Sequence, residues 1–175
     1  MCMATPTLAK ALQANWNGYE ELRAAAKAAP KYGNDDDRVD GIAREVANHF
    51  YDEIHQYHDI FGSPFLTAFM GISNYIPMGR VLGATPDGRC AGEPSSEGVS
   101  PYVGTDVSTP LAAMRSAAKL NQDVHSGGTL LNLRLDHNLV ATKRGQANLG
   151  AMIQTLFAMG AFHVQFNCVS SEVLR

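Results

Sequence analysis

Between Asp37 and His58 the apolar residues Val39, Ile42, Val46, Phe50 and Ile54 recur at spacings of three and four, the period of one face of an α-helix. The spacing predicts a helix over 37–58 with a single buried stripe. Leu8, Leu12 and Trp16 recur about one turn apart behind Thr7, a candidate N-cap, and predict a first helix that Asn17-Gly18 interrupts. A second helical run, Tyr19 to Ala29, stops at Pro30. Thr109-Pro110 supplies an N-cap followed by a first-position proline for a helix reaching Lys119. The run from Thr142 to Met159 carries Leu149, Met152, Ile153, Leu156 and Phe157 and ends at Gly160, a normal residue just past a helix.

In three places the period changes to two. Phe65 to Ile72 puts Leu66, Ala68, Met70 and Ile72 on one face and Phe65, Thr67, Phe69 and Gly71 on the other. Thr129 to Leu135 sets Leu131, Leu133 and Leu135 against Asn132 and Arg134, with Leu130. Phe162 to Val169 alternates Phe162, Val164, Phe166 and Cys168 with His163, Gln165 and Asn167. Strands separated by crossover-length helices predict an α/β fold with parallel pairing. Parallel strands are usually covered on both faces, so a polar row on each strand predicts a barrel with helices outside and a polar interior. The row His163, Gln165, Asn167 on its own fits either a cavity wall or an edge strand facing water. Residues 73–110 are dense in Gly, Pro, Ser, Asp and Thr and form a long loop that needs a surface to lie on.

The 175 residues are 45% hydrophobic with a net charge of −3, enough for one sizeable core. A balance so near neutral provides no basic stripe for phosphates and no polybasic segment for an anionic bilayer, so neither nucleic acid nor membrane is expected as a partner. No apolar stretch approaches the length that spans a bilayer, and the first residues lack a secretory pattern, so a cytoplasmic location is expected. Cys2, Cys90 and Cys168 have no CxxC spacing and are expected as reduced thiols rather than a disulfide framework or zinc site. Cys168 is expected to be buried on the apolar face of its strand, opposite His163. Cys90 stands next to Arg89, a weak signal for a lowered thiol pKa. His55 and His58 lie three apart without a matching third ligand and are read as surface histidines. Asp35-Asp36-Asp37 lacks the glycine and the downstream Glu of a calcium loop and is read as helix capping. Pro86-Asp87-Gly88 is a turn signature, and the surrounding glycine-rich stretch lacks a Walker ending.

That stretch also carries a resemblance. Ser73-Asn74, Gly79-Arg80, Gly83, Thr85-Pro86-Asp87-Gly88-Arg89, Ala91-Gly92-Glu93-Pro94, Ser100-Pro101 and Gly104-Thr105-Asp106 together resemble the C-terminal half of glycyl radical enzymes, the pyruvate formate-lyase-like family. Pro30 to Asp36, Ser116 to Leu120, Gly128 to Asn132 and Gly160 to Arg175 are similar to its flanking segments, so the likeness runs from about Leu8 to the last residue.

The resemblance implies a ten-stranded α/β barrel with helices outside. Residues 1–7 then read as a tail and 8–175 as a piece of the barrel domain. It also implies a cysteine that becomes a thiyl radical, usually in a Cys-x-Glu setting, and a glycine in an Arg-Val-x-Gly-Tyr/Phe setting that stores the radical. Neither motif occurs in this sequence. The chain is therefore expected to be a fragment, inactive alone, with no catalytic, cofactor or metal residue of its own. Thr67, Phe69, Asn132, Arg134, His163, Gln165 and Asn167 are the expected cavity-lining residues. The resemblance further implies a small-molecule substrate, a radical S-adenosylmethionine activating enzyme and a homodimer at full length. The implied reaction is cleavage of a C–C, C–O, C–N or C–S bond, of dehydratase, lyase or formate acetyltransferase type. The alternative is a non-catalytic subunit or binding module that completes a barrel in trans.

Overall fold

The computed structural model describes residues 5–170, in which seven α-helices, a short 3-10 turn and two strands follow one another. In chain order these are α1 (Thr5–Gln13), α2 (Glu20–Ala28), α3 (Asp37–His55), α4 (Tyr75–Val81), α5 (Pro110–Ala118), the 3-10 turn (Gln122–Val124), β1 (Leu130–Asp136), α6 (His137–Val140), α7 (Lys143–Ala158) and β2 (His163–Val169). The sequence Ser170-Ser171-Glu172 also predicts the start of another helix, and from Ser171 onward it lies outside the described residues. No helix among the described residues is long and apolar enough to cross a membrane.

The chain divides into two compact units, one ending at Pro30 and resuming over Ile72–Ser95, the other Lys31–Gly71 with the stretch from Ser96 onward. In the first unit α1 begins at Thr5, so Thr7 lies inside the helix rather than capping it. The chain leaves α1 through Asn15 and Trp16 at φ 50° and 67°, and the turn buries Trp16. α4 occupies part of the stretch expected as loop. It packs tightly behind Gly79, where a Cβ would overlap the backbone of Glu93 and Pro94.

In the second unit the local signals act as read. Asp36 caps α3 by accepting from the Arg38 N–H. Thr109 caps α5 by accepting from the Ala112 N–H, with Pro110 at its first position. Thr142 caps α7 by accepting from the Gly145 N–H at 3.0 Å, and Gly160 follows that helix at φ +90°. β1 and β2 pair in parallel, Leu131 opposite Val164 and Leu133 opposite Phe166, across the α7 crossover. Leu131 and Leu133 join Val99, Ala113, Met114, Ala117, Leu120 and Leu156 in the core, against which Val164 and Phe166 pack. The fold is mixed α/β.

Three further expectations are corrected. The strand expected over 65–72 is reduced to one parallel bridge, Phe69 to Thr129, and Thr67 is buried while Leu66, Ala68 and Ile72 are exposed. α3 does not bury its large apolar stripe: Ile42 and Val46 are 62% and 65% exposed, whereas Asp40 and Ala47 are buried and Ala43 packs on the core. The helix turns inward the face on which buried Asp40 accepts from Ser116 Oγ and Lys119 Nζ, with Ala43 and Ala47 on the same side. Cys168 is exposed, since β2 runs past the core cluster at its C-terminal end.

Candidate functional site

One face of the β1–β2 sheet is polar. The register sets Leu130 beside His163, Asn132 beside Gln165 and Arg134 beside Asn167, so Asn132, Arg134, His163, Gln165 and Asn167 share this face with the buried Leu130. The Gln165 Nε2 donates to Asn167 Oδ1 at 3.2 Å, the Asn167 Nδ2 to Asn132 Oδ1 at 2.5 Å, and the Asn132 Nδ2 to Glu97 Oε2 at 3.0 Å. Three amides thus point their N–H groups one way along a chain that ends on a carboxylate. Arg134 and His163 are exposed on the same face.

Glu97 reaches the sheet because the loop over 96–101 lies along β1. Val99 N–H donates to Leu130 O at 2.9 Å, and the Asn132 N–H donates to Ser100 Oγ at 2.8 Å. These bonds also satisfy the side of β1 that faces away from β2. Gly98 permits the approach: it stands at φ +55°, and a Cβ there would overlap the Leu130 carbonyl oxygen. The bonds of Glu97 and Ser100 to Asn132 have no local signature in the sequence, because they arise only from this long-range contact.

Thr67 and Phe69 sit together at a different place, around His125. Thr67 Oγ1 and His125 Nδ1 share a hydrogen bond of 2.7 Å, and the Phe69 and Tyr51 rings meet the imidazole edge-on at 4.6 and 6.0 Å. His125 is fully buried, and its Nε2 has no hydrogen-bond partner among the described residues. Burial lowers the pKa of this imidazole. Of the seven expected residues, then, Asn132, Gln165 and Asn167 are joined by hydrogen bonds, Arg134 and His163 share their face, and Thr67 and the partly buried Phe69 meet at His125.

The remaining chemistry-bearing motifs are occupied structurally. Lys119 Nζ lies 2.6 Å from Asp35, 2.7 Å from Asp37 and 2.9 Å from Asp40, so the cation at this carboxylate cluster is the protein's own. Burial pulls the Lys119 pKa down, but the three carboxylates outweigh it and the net shift is upward. In the first unit, buried Arg89 donates to the carbonyls of Cys90, Glu93 and Gly83 and to Thr85 Oγ1. Its guanidinium is thus spent on pinning the Pro86-Asp87-Gly88 turn, and Trp16 Nε1 donates to its carbonyl at 3.1 Å. His55 and His58 are exposed, with His55 stacked on Tyr51.

A parallel pair of strands joined by a helical crossover, with one aliphatic and one amide-rich face, places the chain among mixed α/β proteins. Comparison with known proteins narrows the class. Residues 3–79 match the pyruvate formate lyase-like family model and residues 95–175 the glycine radical model. Over 169 residues the chain is 38% identical to trans-4-hydroxy-L-proline dehydratase of Clostridioides difficile, covering 96% of this chain and 21% of that protein. Isethionate sulfite-lyase of Nitratidesulfovibrio vulgaris is 32% identical over 178 residues, covering 95% of this chain and 20% of the relative. The glycerol-bound B12-independent glycerol dehydratase of Clostridium butyricum superimposes with a TM-score of 0.94 at 38% identity, over 98% of this chain and 22% of that one. The chain belongs to the glycyl radical enzyme family. It spans about a fifth of the length of the relatives it matches.

Proposed function

We propose that the chain is part of the barrel wall of a glycyl radical enzyme of dehydratase or lyase type, acting on a small polar metabolite. In this reading residues 8–175 belong to one barrel domain, and the polar sheet face turns inward. The observation that carries it is the run of oriented amides from Gln165 through Asn167 and Asn132 to Glu97 on one face of a parallel pair. Such a face orients hydroxyl, carboxylate or ammonium groups. Asn132, Arg134, His163, Gln165 and Asn167 line the cavity, and Thr67 and Phe69 support its wall around His125. The barrel interior excludes water from radical intermediates. The thiyl cysteine, the radical-bearing glycine, the activating enzyme of the radical S-adenosylmethionine class, the homodimer and the cytoplasmic setting belong to the complete enzyme. The 175 residues supply neither radical motif.

Electron paramagnetic resonance after anoxic incubation with an activating enzyme and S-adenosylmethionine tests the reading. The 175-residue chain is expected to give no glycyl doublet and no turnover, whereas the native polypeptide, if it carries an Arg-Val-x-Gly-Tyr-like motif, gives the doublet. Turnover by the 175 residues alone overturns the reading. A native polypeptide without either radical motif moves the chain to the trans-acting role.

A further inference from the structure

The amide run on the β1–β2 face is closed at one end and open at the other. Asn167 Oδ1 accepts from Gln165 and Asn132 Oδ1 from Asn167, but Gln165 Oε1 has no partner among the described residues. The Glu97 carboxylate closes the far end. Gln165 Oε1 is thus an acceptor that awaits a donor.

Arg134 is the complementary case. It is exposed on the same face, and its guanidinium makes no hydrogen bond or ion pair with any described residue. Its chain neighbours Leu133 and Leu135 are buried on the opposite face, which fixes Arg134 on the polar one. Arg134 stands beside Asn167 in the register, and Gln165 lies two residues earlier on β2, so the two open groups are diagonal neighbours. Strand spacing and rise put their Cα atoms about 8 Å apart. That separation suits one small molecule touching both side chains.

A guanidinium presents a fork of N–H donors that matches the oxygens of an acid group. Once this face turns away from bulk water, an unpaired guanidinium is costly, and an anion seated on it removes the cost. At the other end, Glu97 sets a negative charge on Asn132, which is beside Gln165 in the register. A hydroxyl or ammonium is therefore favoured there over a second acid.

We propose that this face binds a small acid bearing a hydroxyl or ammonium group a few bonds from its acid group, Arg134 holding the acid and Gln165 Oε1 the donor. The inference rests on the barrel-wall reading above and narrows its substrate class, since a neutral polyol lacks the group that Arg134 requires.

The test is equilibrium binding to the native polypeptide that carries this segment, kept unactivated, by ligand-observed nuclear magnetic resonance. The probes are L-lactate, L-alanine, trans-4-hydroxy-L-proline, propionate and glycerol. At least one of the first three is expected to bind roughly fivefold more tightly than propionate and roughly tenfold more tightly than glycerol. Lactate against alanine distinguishes a hydroxyl from an ammonium. Arg134→Gln is expected to weaken that acid by roughly tenfold and to change the Tm by less than about 2 °C, because the side chain is exposed. Arg134→Lys retains most of the binding, Gln165→Leu reduces it to the level of propionate, and Arg144→Gln on α7 leaves it unchanged. Glycerol binding as tightly as the acids, or no binding by any of the first three probes, overturns the inference. Undiminished binding in Arg134→Gln gives Arg134 to an acid of the polypeptide itself and also overturns it, as does a Tm that falls by roughly 5 °C. Each of these outcomes leaves the barrel-wall reading in place, because the glycyl doublet decides that reading separately. A native polypeptide without either radical motif removes the barrel-wall reading, and this inference with it, whatever the probes do.

Discussion

His125 illustrates how one buried side chain makes a region of the molecule sensitive to pH. Its imidazole is fully buried, with one nitrogen bonded to Thr67 and the other unpartnered among the described residues, so the neutral form is favoured in the folded chain. The folded pKa lies below the ordinary 6.5, and the unfolded chain binds the proton first as the pH falls. Stability is therefore complete above 6.5 and lost as the pH drops through that value toward the folded pKa. His125→Phe keeps an aromatic ring in place and removes the titration. Urea unfolding midpoints should fall between about pH 7.5 and 5.5 more steeply in the wild type than in the variant. Parallel curves would show that His125 does not carry the effect. None of this was visible in the sequence, where His125 is a histidine in a loop before Ser126-Gly127-Gly128. Alternation places Thr67 and Phe69 on one face, and it does not say that a distant loop brings a histidine to meet them.

At the scale of elements, the contact of the 96–101 loop with β1 organises the polar face, and Gly98 is its narrowest point. Gly98→Ala adds a methyl group where the Leu130 carbonyl already stands and requires a φ of +55° of an alanine. It is expected to cost about 2 kcal/mol, from left-handed backbone strain together with the displaced contact. It is also expected to detach Glu97 and Ser100 from Asn132, read as faster amide exchange at Val99 and Asn132. Unchanged exchange at those two amides would show that the loop accommodates the methyl group. The caps Asp36 and Thr109 and the stop at Gly160 are legible because each acts within one helical turn of its own position. The orientation of α3 was not. Amphipathic spacing assumes that the apolar stripe faces the nearest core, and here Asp40, bonded to Ser116 and Lys119, turns the alanine side inward instead.

For the whole molecule, the large apolar groups left outside have a direct consequence. With Ile42, Val46, Ile60, Phe61, Phe65 and Leu66 each at least 50% exposed, the 175-residue chain in isolation is expected to self-associate as its concentration rises. Light scattering behind size-exclusion chromatography should show a mass that climbs with loading concentration, and a constant monomer mass would contradict it. Local pattern in the chain is enough for the family, the helix boundaries set by caps and glycines, the parallel strand signal of β1 and β2, and the residues of their polar row. These follow from short-range rules of period, capping and motif spacing that each stretch of chain obeys alone. Long-range packing settles the rest: the third expected strand shrinks to one bridge, Glu97 closes the amide run, His125 joins Thr67 and Phe69, and α3 buries its Asp40 face. Those outcomes depend on contacts between residues far apart in the chain. There, the fit of side-chain volumes and the need to satisfy buried polar groups outweigh local pattern.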